Sequence, residues 1–208
     1  MSKLLLATNN HGKLIEIQAL LEALNLKANL VTPDQIGLQL KVAEDGETYA
    51  ENAAKKAVAF AQASGLPTLA DDSGLEVDAL DGQPGIHSAR FAPQTGASDA
   101  DRRAYLLKQL QGKPRPWTAH FHCTVALLKP DGNSGKGRLQ YAEGNCFGEI
   151  IPEERGKNGF GYDPIFLLPE LRLTMAELPM EQKNRLSHRA RAIRAAEPIL
   201  LEFLTKMQ

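Results

Sequence analysis

Two adjacent carboxylates, Asp71 and Asp72, stand between an apolar run, Leu66 to Ala70, and the pair Ser73-Gly74. The run suits a strand, and carboxylates at a strand's end are costly unless they meet cations, a metal or water. Successive strand side chains point to opposite faces, so the two acids cannot easily share one job. One should face a cleft while protein hydrogen bonds hold the other; read alone, the four residues are equally a polar turn. Cations that could meet these acids occur elsewhere. Thr8-Asn9-Asn10-His11-Gly12-Lys13 joins an apolar stretch, residues 3–7, to Leu14, Ile17, Leu21 and Leu24 at helical spacing. Strand, glycine-bearing loop and helix N-terminus make an anion site, because free N–H groups and the helix dipole face the loop. Lys13 lies where that dipole disfavours a cation, a conflict that a bound anion would resolve. The loop lacks the G-x-x-x-x-G-K-[ST] pattern, and a surface lysine on an ordinary loop is the alternative.

Further along, Thr48 and Glu51 fit a capping box, and Glu51 with Lys55 fits a surface pair on the helix. Glu44, ahead of the cap, escapes both explanations and could stand at the helix entrance as a metal ligand. Lys56 is a second candidate for phosphate, or a solvated lysine. Gly156-Lys157-Asn158-Gly159-Phe160-Gly161-Tyr162-Asp163-Pro164 is too glycine-rich for regular structure and brings backbone N–H groups close to a ligand. Phe160 and Tyr162 supply ring faces for a base, and Asp163 supplies a fixed acceptor; the alternative folds both rings into the core. Finally, Lys183-Asn184-Arg185-Leu186-Ser187-His188-Arg189 leads into a basic helix. Ser187 can cap it, which leaves His188 and Arg189 in a first turn where the dipole disfavours cations. A phosphate and base pocket or a solvated basic face accounts for them.

These groups need elements to hold them. Residues 3–7, the region of Val31, residues 66–70, Trp117 to Lys129, Leu139 to Ala142 and Cys146 to Ile151 read as strands. Helical patterns follow Lys13, run from Thr48 to Ser64 before Gly65, follow Ser98 and Asp101 through Leu110, and close the chain, with Pro198 kinking or restarting the last. On the 117–129 strand Ala119, Phe121, Cys123, Val125 and Leu127 share one face, with His120, His122 and Thr124 on the other. The histidine pair lacks a third ligand nearby and reads as a solvated sheet face rather than a zinc site. Asp131 to Gly137 reads as a hairpin connection. At 208 residues, 43% hydrophobic and 24% charged, the chain suits one globular domain, 1–208, or two small lobes sharing a core. A net charge of −1 argues against a general nucleic-acid or membrane-surface binder, and no apolar run is long enough for a membrane span. Two cysteines, Cys123 and Cys146, make neither a disulfide framework nor a zinc site by spacing, so a cytoplasmic protein with reduced thiols is expected.

In their order, these segments resemble the non-canonical purine nucleoside triphosphate pyrophosphatases, the inosine/xanthosine triphosphate pyrophosphatase family. The matching pieces are Thr8 to Lys13, Glu44 to Ala53, Ala70 to Leu75, Gly85-Ile86-His87-Ser88-Ala89-Arg90-Phe91, Phe160 to Pro164 and Lys183 to Arg189. Asn9 stands where the family commonly has glycine, and His87 where tyrosine is frequent. The resemblance implies an α/β fold, with a long mixed central β-sheet and flanking helices forming two lobes around a nucleotide-binding cleft. It also implies a homodimer, a Mg²⁺ cofactor, and hydrolysis of ITP, dITP or XTP to monophosphate and pyrophosphate, which keeps deaminated purines out of DNA and RNA. By motif match Asp72 would be the acid/base residue and a metal ligand, and Glu44 the other metal carboxylate. Thr8, Asn9, Asn10, His11, Gly12, Lys13, Lys56 and Ser73 would line the triphosphate. Phe160, Gly161, Tyr162, Asp163, Lys183, His188 and Arg189 would surround base and sugar. A related-fold pyrophosphatase of canonical or modified pyrimidine triphosphates and a non-catalytic nucleotide-binding regulator are the competing readings; an Asp-nucleophile phosphatase is remote, since the D-x-D-x-T spacing is missing.

Overall fold

The computed structural model describes residues 2–131 and 137–205. The expected hairpin connection at 131–137 lies largely outside them. Seven strands form one mixed sheet: β1 (Ser2–Leu6), β2 (Ala28–Val31), β3 (Thr68–Val77), β4 (Trp117–Leu128), β5 (Leu139–Ile150), β6 (Phe166–Leu168) and β7 (Leu173–Thr174), in the order β2-β1-β3-β4-β5-β6-β7. β1 pairs in parallel with β2 and β3, whereas β5–β6 and β6–β7 are antiparallel. The helices are α1 (His11–Ala23), α2 (Tyr49–Ser64), α3 (Asp99–Leu110), α4 (Met180–Leu186), α5 (His188–Ala195) and α6 (Glu197–Thr205). The expected α/β fold with a long mixed sheet and flanking helices is therefore what the chain adopts.

Several boundaries differ from the sequence reading, each for a local reason. Asp71-Asp72-Ser73-Gly74 does not end a strand; β3 runs straight through it, because partners described below compensate both acids. β5 is one strand of twelve residues, not two. Gly12 and Lys13 lie inside the first turn of α1, whose N-cap is Asn10. Thr48 caps α2, but the Glu51 carboxylate accepts from the Glu47 N–H at 2.8 Å, and Lys55 pairs with Asp45 at 2.7 Å instead of with Glu51. Ser187 separates α4 from α5, and Pro198 is the second residue of α6, where a missing N–H costs nothing.

The chain divides into two compact units, neither of them contiguous. The first comprises Met1–Asp72, Cys123–Gly144 and Arg189–Gln208. β1 from Leu4 to Leu6 and the start of β3 are apolar on both faces, as parallel strands covered by helices require. Leu4, Leu6, Leu69, Cys123, Val125 and Leu127 meet Ile17 and Leu20 of α1, Ile193 of α5 and Leu200 of α6. Leu5, Ala7, Ala70 and Ala126 meet Ala53, Ala57 and Phe60 of α2. Alanine at Ala53, Ala57 and also Ala61 lets α2 pack closely on the sheet. The second unit comprises Ser73–His122 and Asn145–His188. Leu106 and Leu110 of α3 pack there on Ala119, Phe121, Ile150 and Phe166, with Leu75 and Val77 completing the core. β3, β4 and β5 supply residues to both units.

Candidate active site

In the first unit, the alternation along β3 gives the two acids different partners. Asp71 is 1% exposed. Its Oδ2 is 2.9 Å from the Lys13 Nζ and 3.4 Å from both Nε and Nη2 of Arg189. Arg189, also 1% exposed, donates through Nη1 to Glu16, itself buried. An ion chain Lys13–Asp71–Arg189–Glu16 results, buried except at its half-buried Lys13 end. Burial works against the Asp71 carboxylate, yet Lys13, Arg189 and Lys56 outweigh it and hold the group well below the usual carboxylate range. The same acids overcome the burial penalty on Arg189 and keep it charged. The conflict of Lys13 with the α1 dipole is thus resolved by a protein carboxylate, Asp71.

Asp72 has neutral and cationic company of another kind. Its Oδ2 accepts from the Asn52 Nδ2 at 3.1 Å, and its Oδ1 lies 3.9 Å from the Lys56 Nζ. That ammonium donates to the Asp71 carbonyl at 2.7 Å and pairs with Glu44 at 2.8 Å. Burial raises the Asp72 carboxyl; Lys56, Lys13 and Asn52 offset part of the rise, and Glu44 adds to it. Lys56 is no solvated lysine: burial lowers its proton affinity, but Asp71, Asp72 and Glu44 more than restore it. Asn52 ties the two acids together, since its Oδ1 accepts from the Gly46 N–H at 2.8 Å and so anchors the segment that carries Glu44. A Cβ on Gly46 would stand 2.8 Å from that Oδ1 and from the Glu51 Cβ, which is why the position has none. At the start of α1, Thr8 Oγ1 accepts from the Asn10 N–H and Asn10 Oδ1 from the Lys13 N–H, both at 3.1 Å. Asn9 and His11 are exposed beside them, Gly12 half-buried.

The second unit carries the aromatic glycine loop. Asp163 is buried and its Oδ2 accepts from the Phe160 N–H at 2.9 Å and from the Lys183 Nζ at 2.7 Å. The Lys183 ammonium also lies 5.2 Å from the Phe160 ring centroid, a cation–π distance. Tyr162, expected to offer a ring face, is instead buried in the second core with its hydroxyl donating to the Ser88 carbonyl at 2.9 Å. Phe160 remains half-buried. His188 stacks on Phe121 with centroids 4.7 Å apart and an interplanar angle of 17°. Neighbours on a helix point about 100° apart, so His188 and Arg189 go to different surroundings. The Arg189 guanidinium is engaged by Glu16 and Asp71.

The sequence reading missed Glu16 and Asn52. A signal for Glu16 exists, because Lys13, Glu16, Ile17, Leu20 and Leu21 recur at the spacing of one helix face, and charges on a core stripe need partners. Asn52 looked like an ordinary helix residue. The sheet histidines are spoken for by neighbours, His120 by Glu76 at 3.4 Å and His122 by Asn145 at 2.7 Å. Among the described residues no group of three or more His, Cys, Asp or Glu could hold a metal ion by itself. The pair Glu44 and Asp72 offers oxygen donors only. That set suits a hard cation that takes one or two carboxylates and completes its shell with phosphate oxygens and water.

Paired acids with lysines, and an aromatic glycine loop, are residue sets whose chemistry suits a nucleotide's phosphates and base. Comparison with known proteins narrows the class. The Ham1 family model matches residues 4–199, and this chain belongs to that family. It is 47% identical over 199 residues to the dITP/XTP pyrophosphatase of Desulforamulus reducens, covering 95% of each chain. Its fold is similar to that of a HAM1 protein from Coxiella burnetii, with a TM-score of 0.84, 39% identity, and coverage of 97% of this chain and 100% of that one. A nucleoside-triphosphatase / dITP/XTP pyrophosphatase from Mycobacterium abscessus gives 0.72 and 38%, with 95% and 99% covered.

Proposed function

We propose that this chain is a nucleoside triphosphate pyrophosphatase that hydrolyses ITP, dITP and XTP to the monophosphate and pyrophosphate. The observation that carries the reading is the division of labour between Asp71 and Asp72, joined to the membership of the Ham1 family. One acid is locked in an ion chain, and its neighbour is held by an amide and a lysine beside Glu44. Attack of water on the α-phosphorus needs positioning and neutralisation of developing charge rather than covalent help. Asp72 accepts the proton of the attacking water. Lys13 and Lys56 take the charge that builds on the departing pyrophosphate, and Thr8, Asn10, Gly12 and Ser73 line its path. Glu44 and Asp72 would hold Mg²⁺, which when bound polarises the phosphate. Phe160 stacks on the base, Asp163 and Lys183 shape the loop, and His188 donates to the oxygen that hypoxanthine and xanthine carry at C6, where adenine carries an amine.

The remaining parts of the reading follow the same support. A single functional domain, 1–208, works as a homodimer on a small-molecule substrate, without nucleic acid or membrane. No helix among the described residues is long and apolar enough to cross a membrane. Both cysteines are free and buried, in keeping with a cytoplasmic protein. The test is a panel of purified nucleoside triphosphates with Mg²⁺, separating pyrophosphate from orthophosphate release. Pyrophosphate from ITP, dITP and XTP at rates at least about tenfold above ATP and GTP is expected. Stepwise orthophosphate release, or equal rates on ATP, overturns it.

A further inference from the structure

The loop that carries Phe160 is held from outside by residues that neither touch a base nor belong to the segments matched above. Gly159 and Gly161 have φ of +76° and +61°, conformations that glycine adopts readily but whose fixing costs the most chain entropy. Something must hold such a loop if its ring is to meet a ligand without reordering. The peptide groups of Gly161 are held on both sides by the start of α3. The Gly161 N–H donates to Asp99 Oδ2 at 2.7 Å, and the Gly161 carbonyl accepts from Arg103 Nη1 at 2.8 Å. Each clamp residue is itself fixed. Asp99 is paired with Arg102, and Arg103 makes a forked pair with Glu154 at 2.9 and 2.8 Å. α3 is anchored by a capping box between Ser98 and Asp101 and by Leu106 and Leu110 in the core.

We propose that Asp99 and Arg103 are positioning residues that pre-organise the Phe160–Asp163 loop for the base, setting nucleotide affinity without entering the chemical step. The proposal rests on the reading that Phe160 stacks on the base. Pre-organisation removes an ordering cost from binding, so its loss falls on affinity and leaves the bound complex to react as before. Phe160 N–H, the Tyr162 hydroxyl and Asp163 keep their own bonds within the unit, so the loop loosens without unfolding the core.

The test combines calorimetry with a non-hydrolysable ITP analogue, steady-state kinetics on ITP, and melting. Arg103→Ala and Asp99→Ala should each raise Kd and KM about tenfold, with kcat within about twofold and the melting temperature little changed. Arg103→Lys, with one donor for Gly161 and none left for the fork, should recover part of the loss. Asp99→Asn keeps an acceptor for the Gly161 N–H and should bind nearly as the parent. Glu154→Gln weakens the fork but spares the bond to Gly161, so its Kd should stay near the parent's. Unchanged Kd in both alanine variants overturns the clamp, as does a loss that falls on kcat, or Glu154→Gln matching Arg103→Ala. Should Arg103→Ala fail to fold, the Asp99→Ala and Asp99→Asn pair decides alone. A parent chain that does not bind the analogue defeats the substrate reading, and the clamp with it; a parent that binds beside variants that bind equally defeats the clamp alone.

Discussion

Asp71 and Asp72 are adjacent, chemically identical and held by different partners. Asp71 neutralises Lys13 and Arg189 in an ion chain, whereas Asp72 is held by Asn52 and Lys56 beside Glu44. Substitution by the isosteric amide should therefore separate them. Asp72→Asn should lower kcat by at least about a hundredfold while the melting temperature holds, because a proton acceptor is lost without a change of shape. Asp71→Asn should instead cost about 3–5 kcal/mol of stability, since buried Arg189 and half-buried Lys13 lose their shared counter-charge. Kinetics and thermal melts on the two variants check both, and a stable, active Asp72→Asn would make that residue merely structural. Asn52→Ala belongs at the same scale. It frees the Gly46 N–H and one Asp72 oxygen together, so Mg²⁺ affinity, read by calorimetry, should fall along with kcat.

At the scale of elements, β4 shows how a strand covered on both faces tunes a group that no chemistry uses. Cys123 lies in the first core, and burial pushes its thiol up to about 12 from an ordinary 9.0, with Asp71 adding to the effect. In the unfolded chain the thiol ionises near its ordinary value, so between the two values the folded state holds the proton and the unfolded state does not. Stability from this group is full below about pH 9 and is lost as pH rises toward 12. Cys123→Ala should flatten that alkaline limb in urea titrations run across the range, even if it lowers stability at neutral pH. A limb as steep as the parent's would assign the loss to other groups. The approach to α2 gives a second element-scale expectation. Gly46→Ala places a methyl 2.8 Å from Asn52 Oδ1, so the Glu44 segment must shift, and Mg²⁺ affinity should fall more than the melting temperature does.

At the scale of the molecule, catalysis is proposed to divide its work between phosphate-holding groups such as Lys13 and Lys56 and base-holding groups such as Phe160 and His188. Lys13→Ala should therefore weaken all triphosphates alike, by about 1–3 kcal/mol for a charged hydrogen bond, leaving the ratio of ITP to ATP activity intact. His188→Ala should erode that ratio, because the donor toward the C6 oxygen goes. Reversed outcomes would exchange the roles of the two sets of groups. Sedimentation equilibrium of the parent should give twice the chain mass if the homodimer is right; a monomer at micromolar concentration would end that part of the reading.

The order of motifs along the chain was enough to state the fold class, the family resemblance and the residues from which a site could be built. Periodicity placed α1, α2, α3 and β4 close to their observed bounds, because amphipathic spacing and caps such as Thr48 and Ser98 are local signals. The path of β3 through Asp71 and Asp72 was not legible, since two acids read as a strand's end until partners far away in sequence are known. Arg189 meets Glu16 across 173 positions and Asp71 across 118, and no local rule relates them. Nor could residue types decide that Tyr162 is core while Phe160 is half-buried, or that α3 holds the Gly161 peptide. Charge compensation and burial are long-range properties of the folded chain, so the tertiary structure alone determined which acid joins the ion chain, which ring packs inside, and what holds the loop.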